Sequence, residues 1–163
     1  MSAVQASTTP TATLWSPRRI AALPVRTLVL DGELGVFDQQ LRSRFDWLRH
    51  RQPAELATPP VLIAFDVLYV KGRDVSQRPL RERRPRLEDL VAGADLVHAS
   101  RRLAPNGLEA WAQVLERGYE GLVAKDDDSL YVGGPMRAWL KVKVPGWTQA
   151  EHRWQRTLTP GKA

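Results

Sequence analysis

Leu30-Asp31-Gly32-Glu33-Leu34 sets two carboxylates two residues apart, and on an extended strand residues i and i+2 project to one face. The same pentapeptide also reads as a hairpin turn, because Asp-Gly between apolar runs is a strong hairpin signal. Further on, Val61–Val70 (VLIAFDVLYV) is too apolar for a half-exposed strand, which predicts burial on both faces over part of its length. Phe65 within it offers a ring on which a base can stack, or simply fills the core. Asp66 is harder to place in such a run: a buried carboxylate must be paired, hydrogen-bonded or next to a metal. A third stretch, Glu120-Gly121-Leu122-Val123-Ala124-Lys125-Asp126, has an acid at the mouth of a strand and Lys125 at its other end. In the fourth, Trp139-Leu140-Lys141-Val142-Lys143-Val144, period-two alternation puts Lys141 and Lys143 on one face and Leu140, Val142 and Val144 on the other, facing a core. Two ammonium groups on one face repel unless an anion lies between them or both reach solvent. The chain has five lysines against 19 arginines, and Lys125, Lys141 and Lys143 are three of the five. A compact ammonium acts as a point charge on phosphate oxygens where a planar guanidinium does not fit. Together, two acidic strand ends and two basic strand positions make a candidate site for a metal-bound nucleotide phosphate.

The elements that must carry these residues follow from composition and period. Residues 27–30, 35–37, 61–70, 122–125 and 139–144 are short runs of Val, Leu, Ile and aromatics bounded by Gly, Pro or Asp, and they read as strands. Residues 107–117 read as a helix, with Leu108, Trp111, Ala112 and Leu115 at helical spacing and Gly118 placed to end the last turn. A second helix is expected over 80–91 through Leu80, Leu87 and Val91, with Pro85 either kinking it or marking its first turn. Strands separated by surface helices predict an α+β domain with a largely antiparallel sheet and flanking helices. No internal repeat is present.

At 163 residues the chain suits one domain, and about 70 % of the unfolded surface of such a chain is buried on folding. Hydrophobic residues make up 43 % and charged residues 26 %, an ordinary globular balance that argues against wholesale disorder. The absence of cysteine excludes disulfides, thiolate metal sites and a cysteine nucleophile, so oxygen ligands are expected for any metal. A net charge of +6 favours polyanionic partners such as nucleic acid, although a solvated basic face gives the same charge. No apolar run reaches the roughly 20 residues of a membrane span, and the start is polar, so no membrane partner and a cytoplasmic location are expected. Residues 1–13 read as a disordered lead-in, 14–147 as the domain, and 148–163 as a polar tail with His152 and Trp154, Trp147 lying at its edge.

In order and wording the segments LDGEL, AFDVLY, EGLVAKD and WLKVKV resemble motifs III, IIIa, IV and V of the ATP-dependent DNA ligases, especially the bacterial type. The resemblance covers about residues 14–147 and implies a partial ATP-grasp-like ligase adenylation domain. It implies ATP as cofactor with Mg (or Mn), Glu33 and Glu120 near the metal and nucleotide, Phe65 stacking on adenine, and Lys141 and Lys143 on the α-phosphate. Lys125 falls in the fourth motif and is assigned with them to the nucleotide. Members of the family attack ATP with a lysine to form lysyl-AMP, pass AMP to a DNA 5′-phosphate, and seal the nick with the neighbouring 3′-hydroxyl. Cations and metal neutralise charge at the α-phosphorus in such a displacement, which agrees with the residues read above.

Two departures bear on that chemistry. The family's K-x-D-G lysine lies well upstream of LDGEL, but residues 1–30 contain no lysine, and the first one, Lys71, sits in a Lys-Gly-Arg-Asp turn on the wrong side. The arginine motif that follows the nucleophile in the family is not recognisable either, although Arg18 and Arg19 lie near its place. Only 19 residues follow Val144, too few for the OB-fold domain of the family. The expectation is a ligase fragment for nick sealing in repair or recombination that binds ATP or AMP but does not self-adenylate alone. It would bind DNA weakly and non-specifically, and be either a truncated gene product or one part of a split enzyme in which a second polypeptide supplies the nucleophile and OB domain. The rival reading is a non-enzymatic basic remnant that binds DNA or a partner. An RNA ligase or capping-type enzyme is disfavoured by AFDVLY followed by RPLRERRPRLEDL.

Overall fold

The computed structural model describes residues 23–39, 43, 45–48, 59–134 and 137–146. The expectations for the lead-in 1–13, for Arg18 and Arg19, and for the tail with Trp147, His152 and Trp154 fall outside those residues. The chain forms two compact units, one comprising residues up to Arg102 together with Lys125–Trp139, the other Leu103–Ala124 together with the residues from Leu140 onward.

In the first unit, strand β1 (Leu28–Gly35) runs antiparallel to β2 (Val61–Val70) from Leu28 opposite Val70 to Gly35 opposite Val61. The expected break at Asp31-Gly32 is absent: both residues lie inside one eight-residue strand. Gly32 is there for proximity, not for a turn, since a Cβ on it would meet the Ile63 carbonyl oxygen at 2.7 Å and the Ala64 Cα at 2.9 Å. Of the run predicted over 35–37, Gly35 ends β1 and Phe37 forms an isolated bridge with Ser43. The pairing shifts twice, and both times the extra residue is on β2, leaving Leu68 and Phe65 unopposed.

Lys71 (φ 51°) and Gly72 (φ 80°) turn β2 into β3 (Arg73–Asp74), and Thr27 closes the turn by accepting from Lys71 N at 3.1 Å and from Gly72 N, through Oγ1, at 3.0 Å. Helix α1 (Leu80–Val91) then returns the chain so that β4 (Val97–Ala99) pairs in parallel with Leu62–Ala64 of β2, an exception to the antiparallel pattern. Ala64, Val67, Val75, Leu87, Val91 and Val97 form the core between sheet and helix. The apolar stripe of α1 reads Leu80, Leu87 and Val91 as predicted, but Pro85 lies in the second turn, not the first. Two N–H groups left open at the start of the helix are taken by carbonyls distant in sequence: Leu80 N donates to Ser129 O at 3.0 Å and Arg81 N to Asp127 O at 2.9 Å.

The second unit contains helix α2 (Gly107–Glu116), which carries its own start and stop. Asn106 Oδ1 accepts from Leu108 N at 2.9 Å, and Gly118 (φ 65°) ends the helix while Tyr119 N donates to Val114 O at 3.0 Å, a Schellman closure. Strands β5 (Gly121–Lys125) and β6 (Trp139–Lys143) form a separate two-stranded sheet. Leu140 and Val142 were expected over a core but stay 61 % and 43 % exposed. The burial of this unit centres instead on Ala110 and Val114 of α2. Mixed α/β structure with mainly antiparallel pairing in the large sheet is therefore what the sequence predicted. Among the described residues no helix is long and apolar enough to cross a membrane.

Candidate functional site

Asp66 is fully buried, and its partner is Arg83 of α1, also fully buried. Arg83 donates through Nε to Oδ1 and through Nη2 to Oδ2, both at 2.8 Å, and Oδ1 also accepts from Val67 N at 2.8 Å. The remaining guanidinium nitrogen donates to the carbonyls of Ser129, at 3.0 Å, and Arg78. A fork of this geometry satisfies a buried carboxylate on both oxygens. It ties β2, at the residue next to Phe65, to the segment that follows β5.

Phe65 stands at the second bulge of β2, half-buried, with its ring released from regular alternation. The Trp139 ring meets it edge-on, centroids 6.2 Å apart at 82°, and Tyr131 meets Trp139 likewise at 6.0 Å. The Lys125 ammonium lies 3.5 Å from the Trp139 centroid and 4.6 Å from that of Phe65, and donates a long hydrogen bond of 3.4 Å to the Phe65 carbonyl. Burial pushes the Lys125 amine down to about 8, against the pull of Asp66 and Asp31 and with Arg84 and Arg83 adding to the push. Tyr131 donates to Asp31 Oδ2 at 2.8 Å, and burial, helped by that bond, raises its hydroxyl to about 12. Asp31 and Glu33 keep their i, i+2 spacing because β1 itself carries no extra residue. Glu33 is exposed and, among the described residues, has no ion-pair partner.

In the second unit, Glu120 follows the turn at Gly118, and its carbonyl accepts from Val144 N at 2.8 Å. Its Oε1 lies 2.6 Å from Lys143 Nζ and 3.5 Å from Lys141 Nζ, so the two lysines share this carboxylate while both stay exposed to solvent. The hydrogen bond from Lys143 holds the Glu120 carboxyl below the usual range, opposed by partial burial and helped by the charge of Lys141. Of the residues singled out in the sequence, the structure thus groups Phe65 with Lys125 in the first unit and Glu120 with Lys141 and Lys143 in the second. Sequence reasoning left out Arg83, Ser129 and Tyr131, and did not foresee that the Trp139 ring would lie on Lys125.

The "ATP dependent DNA ligase domain" family model matches residues 8–143, most of the chain. The chain belongs to this family. Among curated ATP-dependent DNA ligase relatives, DNA ligase 1 of Methanosarcina acetivorans is 29 % identical over 147 residues, covering 76 % of this chain and 24 % of its own length. The multifunctional non-homologous end joining protein LigD of Pseudomonas aeruginosa is 31 % identical over 128 residues, covering 77 % and 15 % respectively. The solved ligase domain of M. tuberculosis LigD superposes with a TM-score of 0.61 at 32 % identity, over 71 % of this chain and 37 % of that one. Mycobacterial DNA ligase D solved in complex with ATP and MES matches with the same TM-score and identity. The chain thus spans about a quarter or less of these two curated ligases and under two fifths of the solved ligase domain.

Proposed function

We propose that residues 14–147 are the central part of a ligase adenylation domain, that they hold ATP or AMP, and that the 163-residue chain does not adenylate itself. The observation that carries this reading is the pairing of Lys141 and Lys143 on one carboxylate, an anion site built on the ligase motif that contacts the α-phosphate in the family. A nucleotide phosphate offers these lysines the same oxygen chemistry that Glu120 offers them here. Phe65 takes the base, and Lys125 stands beside its ring. The solved mycobacterial DNA ligase D, complexed with ATP and MES, favours a nucleotide as the ligand of this chain as well.

The family implies a divalent cation. Mg or Mn is a hard ion that takes one or two carboxylates and completes its shell with phosphates and water. Glu120, whose charged form is favoured, and the exposed Glu33 are donors of that kind, and the chain has no cysteine to favour a softer metal. Such a cation would neutralise phosphate charge, while Lys141 and Lys143 orient the α-phosphate.

Self-adenylation also needs an amine beside the α-phosphorus, and the sequence contains no K-x-D-G lysine. Intact mass after incubation with ATP and Mg is therefore expected to stay unchanged; an added AMP on any lysine contradicts the proposal. The substrate would be nicked or broken DNA, as the end-joining names of the relatives suggest.

A further inference from the structure

Lys125 is poorly satisfied where it stands. An ammonium has three donors, yet among the described residues its one hydrogen bond is the 3.4 Å contact to the Phe65 carbonyl, and the faces of Trp139 and Phe65 supply the rest of its surroundings. The ring faces attract the cation, while loss of water expels its charge. The charged groups acting on it are Asp66 on β2 and Asp31 on β1, which hold the proton, and Arg84 and Arg83 on α1, which drive it off. The balance lies on the side of desolvation. At 4.6 Å from the Phe65 centroid, the amine also occupies much of the depth that a stacked base needs over that ring.

We propose that Lys125 is a placeholder on the Phe65 ring, and that a purine stacking there expels the Lys125 amine into water. This rests on the reading of Phe65 as the base-stacking residue. Expulsion regains the solvation that the buried ammonium lacks and replaces two partial cation–π contacts with a full stack, so base entry and lysine release are one event.

The coupling has a definite sign. Seated, the amine loses its proton at about 8; released, it returns toward 10.5. Below the lower value both states are charged and binding exchanges no proton. Between the two, binding takes up a proton and weakens as pH rises, by at most about tenfold per unit. Tyr131, at about 12, titrates above this window.

Adenosine is the probe, because it stacks but has no phosphate to attract an amine and no group that titrates in the window. On the full chain, saturating adenosine should move the Lys125 methylene resonances from ring-shifted positions to those of free lysine. Calorimetry in buffers of different ionisation enthalpy should show proton uptake approaching one at about pH 9 and none at about pH 6.5. Lys125→Ala should bind adenosine at least as tightly, with affinity independent of pH. Adenosine bound in a Phe65-dependent manner with the Lys125 resonances unmoved and no proton uptake overturns the proposal and leaves the stacking reading intact. Adenosine that binds Phe65→Ala as well as wild type, or binds neither wild type nor Lys125→Ala, overturns the stacking reading and the proposal with it.

Discussion

Asp66 and Arg83 show how much one buried ion pair organises. Each is fully buried, and Arg83 spends its remaining donors on the Ser129 and Arg78 carbonyls. Removing one partner of such a pair leaves an uncompensated charge, which generally costs about 3–5 kcal/mol. Arg83→Met should therefore lower unfolding stability by about that amount in urea titrations. Asp66→Leu with Arg83→Met should recover only part of the loss, because the two carbonyls remain unsatisfied. A single-variant loss under about 1 kcal/mol would refute the central role given to the pair. The pair was half legible. Asp66 inside VLIAFDVLYV demanded a partner, and Arg83 falls between Leu80 and Leu87 on the apolar stripe of its helix, the place where an arginine signals a buried anion. Lys141 and Lys143 were legible as two cations that suit an anion between them, but the sequence pointed to a phosphate there and the structure puts the Glu120 carboxylate. The Lys125 and Tyr131 contacts were not, since they join residues 60 and 100 positions apart and leave no periodic trace.

Elements were readable where their ends are encoded locally. Helix α2 has Asn106 and Gly118 beside it, and its predicted span differs from the observed one by a single residue. Helix α1 spans the predicted 80–91 although no side chain caps it: Pro79 is its N-cap, and its first N–H groups are closed by Ser129 and Asp127. The three-residue β4 was missed because so short a run carries no pattern until β2 pairs with it. The Asp-Gly in β1 misled for a tertiary reason: its glycine answers a close backbone approach from β2. Gly32→Ala tests that account. The new methyl group must displace the Ile63–Ala64 backbone, an overpacking that generally costs about 1–3 kcal/mol. The denaturation midpoint should fall accordingly, with hydrogen exchange accelerated first along β1. An unchanged midpoint would mean that the two strands part freely and that Gly32 serves some other need.

At the scale of the whole molecule, the +6 net charge and the ligase motifs make separable demands. Charge alone predicts weak, sequence-independent binding to duplex DNA with affinity that drops steeply as salt rises. Filter binding with nicked and intact duplexes over a salt series measures this, and nick-selective, salt-insensitive binding would instead favour a dedicated DNA-binding role. The motifs predict more. If their residues keep ligase geometry, supplying a K-x-D-G segment of the family ahead of Leu14 should give a chimera that takes up AMP from ATP, with nick sealing still defective while no OB domain is supplied. In that chimera Lys141→Ala and Lys143→Ala should each slow adenylation by about 10²–10³, the effect of removing one preorganised cation from a phosphate in the transition state. Glu120→Ala should slow it too, because the carboxylate both offers an oxygen to the metal and holds the two lysines in register. Placing these losses in the rate of AMP transfer and not in folding requires that each variant keep the chimera's denaturation midpoint. A chimera that folds, retains the Phe65 and Lys125 arrangement and still takes up no AMP would show that the motifs persist without the activity, and would turn the reading toward a binding protein.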